Sequence, residues 1–245
     1  ASLTKLGLRV DVIEMADRLL ARVASPQISS FFAELHQSHD VGLHIGANCR
    51  EILQKDGAFT GVQLDDGREI AAELLLVGIG VLPDLDLAAS AGIEAGNGIL
   101  VDAMMQSSVQ DIFAIGDVAL IDGAALRIES VDNAQMTAAR AAAAICGLAQ
   151  PSMAAPWFWS EQFDVRLQSA GIVPLASPDL HHQLRPGKRE GGFSVWSYGD
   201  NGELAAVEAV RDPAGYMLGK KCLDLRLSPD PDDIGNSDFD LKDFV

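Results

Sequence analysis

The chain has 245 residues, 48% of them hydrophobic and 22% charged, and its 35 acidic against 18 basic side chains leave a formal charge of −17 at pH 7. That balance excludes a disordered chain and gives length enough for one large domain or two ordinary ones. The acidity, with no basic stripe and no interleaving of aromatic and basic residues, excludes a nucleic-acid binder; part of it is a solvated run from Asp230 to Asp243.

In chain order, Ala1–Gly7 reads as the last turns of a helix closed by a C-cap glycine. A helix so placed expects a partner strand before it, so further sequence upstream of Ala1 is expected. Leu8–Ile13 then forms a strand ending at Glu14, and Gln27–His36 a helix with Ile28, Phe31, Phe32 and Leu35 on one face. Strand-like pieces follow at Val41–Ile45, Arg50–Gln54 and Gly61–Leu64, the last turning at Asp65-Asp66-Gly67. Glu73–Gly78 is predicted as a buried strand by its unbroken apolar run. A short helix at Asp86–Ala91 and a turn at Gly96-Asn97-Gly98 precede the apolar strand Ile112–Ile115, which runs into Gly116-Asp117. Asn133–Cys146 is an Ala-rich helix capped by Gly147, and Gln150–Pro156 a linker. Beyond it, strands are predicted at Asp164–Ala170, Phe193–Ser197 and Leu204–Val210, the last two joined by a hairpin turn at Gly199-Asp200-Asn201-Gly202, with a helix at Tyr216–Leu225. The pattern divides into about half of a nucleotide-binding domain, a short return segment and a C-terminal α+β domain.

No apolar run reaches the roughly 18–20 residues that would span a bilayer, and no secretory leader pattern is present. Cys49, Cys146 and Cys222 are far apart, indicate neither a disulfide framework nor a zinc site, and read as buried small apolar residues in a reducing cytoplasm. The five histidines have no metal-ligand spacing, and His181-His182 reads as part of an exposed loop. No nucleophile elbow is found.

Each chemistry-bearing motif has a plain alternative. Gly116 lets backbone approach a ligand closely, and Asp117 sets a carboxylate where open α/β sheets bind ligands; an apolar run before Gly-Asp is also an ordinary strand-to-turn signature. Glu14, ending its strand, suits a ribose 2′-hydroxyl in a dinucleotide fold and would repel a 2′-phosphate, or is simply an exposed strand-end glutamate. Gly78-Ile79-Gly80 lacks a third glycine and a following helix, so it reads as a tight turn rather than a phosphate loop. Trp157 and Trp159, in a loop after Pro156, read first as packing residues.

Four stretches in one order change the weighing: Leu74–Asp84, Ile112–Asp117, Arg127-Ile128-Glu129-Ser130-Val131-Asp132-Asn133-Ala134 and Pro156-Trp157-Phe158-Trp159-Ser160-Glu161-Gln162. Together they resemble the FAD-dependent pyridine-nucleotide oxidoreductases, specifically NADH:ferredoxin reductases of the putidaredoxin reductase and Rieske dioxygenase reductase type. The resemblance implies an α/β fold: the remainder of two glutathione-reductase-like FAD- and NAD-binding domains, then a C-terminal α+β domain with an antiparallel sheet. Residues 1–82 would be the C-terminal half of the NAD-binding domain, 83–153 the returning segment of the FAD-binding domain, and 154–245 the C-terminal domain. It places Glu14 on the ribose of NADH, and Gly78, Ile79 and Gly80 at the crossover between the nucleotide domains. It places Gly116 and Asp117 on the ribityl chain of FAD, Glu129 and Ser130 near the flavin and nicotinamide rings, and Trp159 by the isoalloxazine. Both Gly-rich loops of the family are absent, Ser107-Ser108 and Gln110 depart from its usual upstream pattern, and Glu161 stands where aspartate is usual.

The implied activity is transfer of electrons from NADH through FAD to a ferredoxin serving an oxygenase or P450. No catalytic acid–base pair is expected, because hydride and electron transfer require proximity and orientation. An acidic ferredoxin would need a local basic patch, for which Arg127, Arg166, Arg211, Lys220 and Lys221 are the candidates. Two alternatives stand: a stretch that binds no flavin and acts as a folding or interaction module, and a reductase for rubredoxin or another acceptor.

Overall fold

The computed structural model describes residues 1–124, 126–173, 180–236 and 238–244. They fall into two compact units, one of Ala1–Gly78 with Trp159–Val245, the other of Ile79–Phe158.

The first unit opens with the short helix α1 (Ser2–Lys5), closed by Gly7 in the left-handed region as predicted. Strand β1 (Asp11–Glu14) leads to α2 (Pro26–Gln37), whose Pro26 occupies the helix's first position, where a missing N–H costs nothing. Ile28 and Phe32 are buried on the predicted apolar face, and β2 (Gly42–Ile45) returns parallel to β1. Strands β3 (Cys49–Lys55), β4 (Ala58–Leu64) and β5 (Glu69–Ala71) form an antiparallel sheet, with the Asp65–Gly67 turn where the dipeptide chemistry puts it.

The second unit contains α3 (Asp86–Ser90), β6 (Ile99–Val101), β7 (Ala119–Ile121) and the 15-residue α4 (Val131–Ile145). Strands β6 and β7 pair in parallel, and Val101, Met105, Ala114, Ala119 and Ala141 form its core.

The chain then enters β8 (Trp157–Gln162), and the first unit is completed by β9 (Val165–Gly171), β10 (His181–Pro186), β11 (Phe193–Tyr198), β12 (Leu204–Val210), α5 (Pro213–Leu225) and α6 (Pro231–Gly235). The sheet order is β10-β11-β12-β9-β8, with antiparallel pairing from β10 through β9. Trp196, Tyr198 and Val207 bury one face of it with Cys222 of α5 and Ile234 of α6. The other face meets α2. Ring centroids of Phe31 and Phe193 lie 5.4 Å apart, His36 Nε2 is 2.6 Å from Gln162 Oε1, and the His39 ring stacks on Phe163 at 3.7 Å. At the other end of α2, both carboxylate oxygens of fully buried Glu208 accept the Ser25 N–H, at 3.0 and 3.1 Å. The fold class therefore follows the expectation: mixed α/β with a C-terminal antiparallel sheet.

Five local expectations are corrected. Glu73–Gly78 forms no strand, and Leu74, Leu76 and Val77 are exposed. A doubly buried strand needs a ladder partner, and the described β1–β2 pair carries no third strand to receive it. Ile112–Ile115 makes only one isolated bridge, Gln106 to Phe113, and the strand at this place follows Gly116-Asp117 as β7. His181 and His182 lie on β10, not in a loop, with His182 Nδ1 2.8 Å from Ser197 Oγ. Burial first, then the charges of Arg18 and His181, lower the His182 pKa below the ordinary imidazole value. Trp157–Trp159 likewise belongs to the edge strand β8. Of the cysteines only Cys222 is buried, its thiol pushed up to about 11 by desolvation; Cys49 and Cys146 are exposed.

Desolvation raises the Glu208 carboxyl to about 7, against the opposing pull of the Ser25 bonds and of Arg18. Folded Glu208 therefore holds its proton where the unfolded chain has lost it. That stabilisation is complete below the ordinary glutamate value of 4.5 and is lost as pH rises through about 7. Glu208→Gln keeps an acceptor for Ser25 without the charge. Thermal unfolding should show it matching the parent at pH 5 and exceeding it at pH 8, by an amount on the order of 2 kcal/mol.

Candidate cofactor-binding site

The second unit brings four of the nine expected site residues around the start of α4. Gly116 is buried with φ +69°, a conformation that favours glycine. A Cβ added there would meet only Ala134 Cβ, at an ordinary contact distance of 3.8 Å, so it is the backbone conformation rather than crowding that favours glycine. Its N–H donates to Thr137 Oγ1 at 2.9 Å, while Asn133 Nδ2 donates to Ile128 O at 2.7 Å and reaches Gly116 O at 3.5 Å. Asn133 and Thr137 are one turn apart on the buried side of α4, so the helix carries the turn. Asp117 follows, exposed, its carboxylate taking no hydrogen bond from another described residue. Ser130 is the N-cap of α4, its Oγ accepting from Asn133 N at 3.1 Å. Glu129 Oε1 lies 2.8 Å from Arg127 Nη2.

The other expected residues are distributed along the chain. Glu14 ends β1 half-buried, one oxygen accepting Ala16 N–H at 2.8 Å, and its second oxygen takes no hydrogen bond from another described residue. Gly78, Ile79 and Gly80 lie outside regular structure; Gly80 has φ +99° and Ile79 is 92% exposed. Trp159 and Glu161 take the exposed side of β8, while Ser160 and Gln162 alternate to the inner side, where Gln162 meets His36. Glu14, Gly78 and Trp159 belong to the first unit, Ile79 and Gly80 to the second.

Sequence reasoning missed Asn133 and Thr137, although an Asn three residues after the capping Ser and a Thr four further on mark one helix face. It also misassigned Arg127: that side chain is 5% exposed and cannot dock a partner. Among the other expected docking cations, Arg211 pairs with Asp164 at 2.7 Å, Lys220 with Asp224 at 2.8 Å, and Arg166 with Glu161 at 3.8 Å. No helix of the described chain is long and apolar enough to cross a membrane.

A sequence profile described as pyridine nucleotide-disulphide oxidoreductase matches residues 1–138. The chain belongs to the pyridine nucleotide-disulphide oxidoreductase family. A second profile, described as reductase C-terminal, matches residues 157–245. Within this family of oxidoreductases the chain is 37% identical over 251 residues to a ferredoxin–NAD(P)(+) reductase from Sphingomonas sp, covering 100% of this chain and 59% of that protein. Among solved structures, the ferredoxin reductase of the CYP199A2 system from Rhodopseudomonas palustris is 38% identical with a TM-score of 0.92, covering 100% of this chain and 60% of that one. The putidaredoxin reductase of a covalent complex with putidaredoxin is 31% identical with a TM-score of 0.88, covering 96% of this chain and 57% of that one. The chain thus spans about three fifths of the length of these relatives, and the resemblance seen in its four motifs is borne out.

The capping role of Ser130 is separable from any contact with a ligand. Ser130→Ala should lower the unfolding free energy by about 1 kcal/mol, read from chemical denaturation, and Ser130→Asp should restore it.

Proposed function

We propose that this chain is the larger part of a cytoplasmic flavoprotein that takes a hydride from NADH onto FAD and passes the electrons to a ferredoxin. The observation that carries the reading is the Gly116–Asp117 turn: a glycine at φ +69° beside an exposed carboxylate with unused acceptor capacity. Those groups fit a polyhydroxyl chain such as the ribityl of FAD, which needs acceptors for its hydroxyls and close backbone. When bound, FAD supplies the capacity to accept two electrons as hydride and release them singly.

The protein's own part is binding and orientation. With FAD and NADH bound, Asp117 would accept hydrogen bonds from the ribityl hydroxyls, Glu129 and Ser130 would serve the flavin and nicotinamide end, and Gly78, Ile79 and Gly80 would leave room for the nicotinamide half of NADH. By the resemblance, Trp159 would be a further flavin contact. Glu14, with one oxygen committed to Ala16, would offer the other to the adenosine ribose of NADH and disfavour a 2′-phosphate. On this reading residues 1–82 complete an NAD-binding domain, 83–153 return to the FAD-binding domain, and 154–245 form the reductase C-terminal domain. The ferredoxin as partner is supported by the relatives named for it, one of them solved in complex with putidaredoxin.

A second reading, in which this stretch holds no flavin by itself, is favoured by the exposure of Leu74, Leu76, Val77, Val81 and Leu82. Such a ribbon ordinarily lies under another layer of structure.

The chain, incubated with FAD and desalted, should retain flavin absorption that bleaches with NADH and more slowly with NADPH. Asp117→Ala should weaken FAD retention roughly tenfold or more, and Glu14→Gln should narrow the preference for NADH. Flavin held equally well without Asp117 overturns the assignment of that residue, and a chain that never holds flavin selects the second reading.

A further inference from the structure

Arg127 lies beside the Gly116–Asp117 turn with its side chain 5% exposed. Among the described residues its polar contacts are two: Nη1 donates to the Asp117 backbone carbonyl, and Nη2 pairs with Glu129 Oε1 at 2.8 Å. Its Nε is buried with no hydrogen-bond partner among the described residues. Burying a guanidinium with one donor unmet is a poor way to gain stability, and an apolar side chain of similar volume would commonly do as well. What an apolar side chain could not do is hold two polar groups at once. The planar fork sets its donors in fixed directions, one toward residue 117 and one toward residue 129.

The surrounding backbone is shaped to admit it. Gly98 lies under the aliphatic stem with φ +153°, and a Cβ there would sit 2.4 Å from Arg127 Cδ and 2.8 Å from Val118 O. A side chain at position 98 would push the arginine away from the turn. The glycine and the guanidinium therefore form one device, built where β6 begins and the Gly-Asp turn ends.

We propose that Arg127 is a positioning residue for the flavin site, locking the Asp117 backbone and the Glu129 carboxylate into one arrangement. It acts through those two residues and touches no reacting atom. It also supplies the counter-charge that keeps a carboxylate beside the flavin from acting as a lone negative charge. This inference rests on the reading of Asp117 and Glu129 as flavin contacts.

The test compares Arg127→Met, Arg127→Lys and the parent chain by FAD titration, by the long-wavelength absorption band of bound flavin, and by amide exchange. Arg127→Met should weaken FAD roughly tenfold, displace the band, and speed exchange at Gly116–Val118 while leaving β12 unchanged. Arg127→Lys keeps the counter-charge without the fork, so the band should return to its parental position while the affinity stays reduced. Parental affinity and band position in Arg127→Met overturn the inference, as does a loss accompanied by equally fast exchange throughout β12. Should Arg127→Met fail to fold, parental affinity in Arg127→Lys overturns it. Should the parent chain hold no FAD, that failure belongs to the proposed function, and exchange at Gly116–Val118 decides alone: faster in Arg127→Met supports the clamp, unchanged rejects it.

Discussion

The bond between a fully buried carboxylate on β12 and the backbone N–H that opens α2 is the constraint on which the first unit is organised. A helix start leaves N–H groups unpaired, and a carboxyl oxygen can accept from one of them whether or not the group is ionised. Here the acid comes from a strand 183 residues away in sequence rather than from a local cap. The contact fixes one end of α2, the Phe31–Phe193 packing its middle, and the two histidines its far end. Each contact alone is modest. In series along a 12-residue helix they leave it no freedom to slide or pivot on the sheet.

The second unit uses the same means at smaller scale. A loop turn bearing a bare glycine and an exposed acid would be mobile if it hung from its own backbone. Instead α4 reaches it with Asn133 and Thr137, and the helix start is itself closed by Ser130. The candidate ligand contacts are thus carried on a rigid element, which is what binding geometry requires of its support.

Legibility in the sequence followed locality. The hairpin at Gly199–Gly202 and the helices α2, α4 and α5 were readable because turn chemistry, caps and periodicity lie within a few residues. Glu73–Gly78 was misread because an apolar run says that a segment wants cover and not whether a ladder partner is present. The strand at the Gly-Asp pair falls on the other side for the same reason: apolar character on both sides left pairing to decide, and among the described residues β7 gained a ladder where Ile112–Ile115 gained a single bridge. His182 escaped because Ser197 lies on the next strand. Arg127 looked like a surface cation because charge alone says nothing of burial. Glu208 had a visible mark, a lone acid among Leu, Ala and Val in β12, yet its partner Ser25 was beyond any local pattern.

The attachment of α2 to the C-terminal sheet also bears on how such proteins can be recombined. The reductase C-terminal match begins at residue 157, which invites exchange of that segment between relatives as a module. Its contacts do not respect that border: Glu208 answers to position 25, Phe193 to position 31, and Gln162 to position 36. A chimera cut at the border inherits one half of each pair. Recombining two family members therefore means carrying residues 25–39 along with the C-terminal segment, because inheritance here follows the helix rather than the boundary.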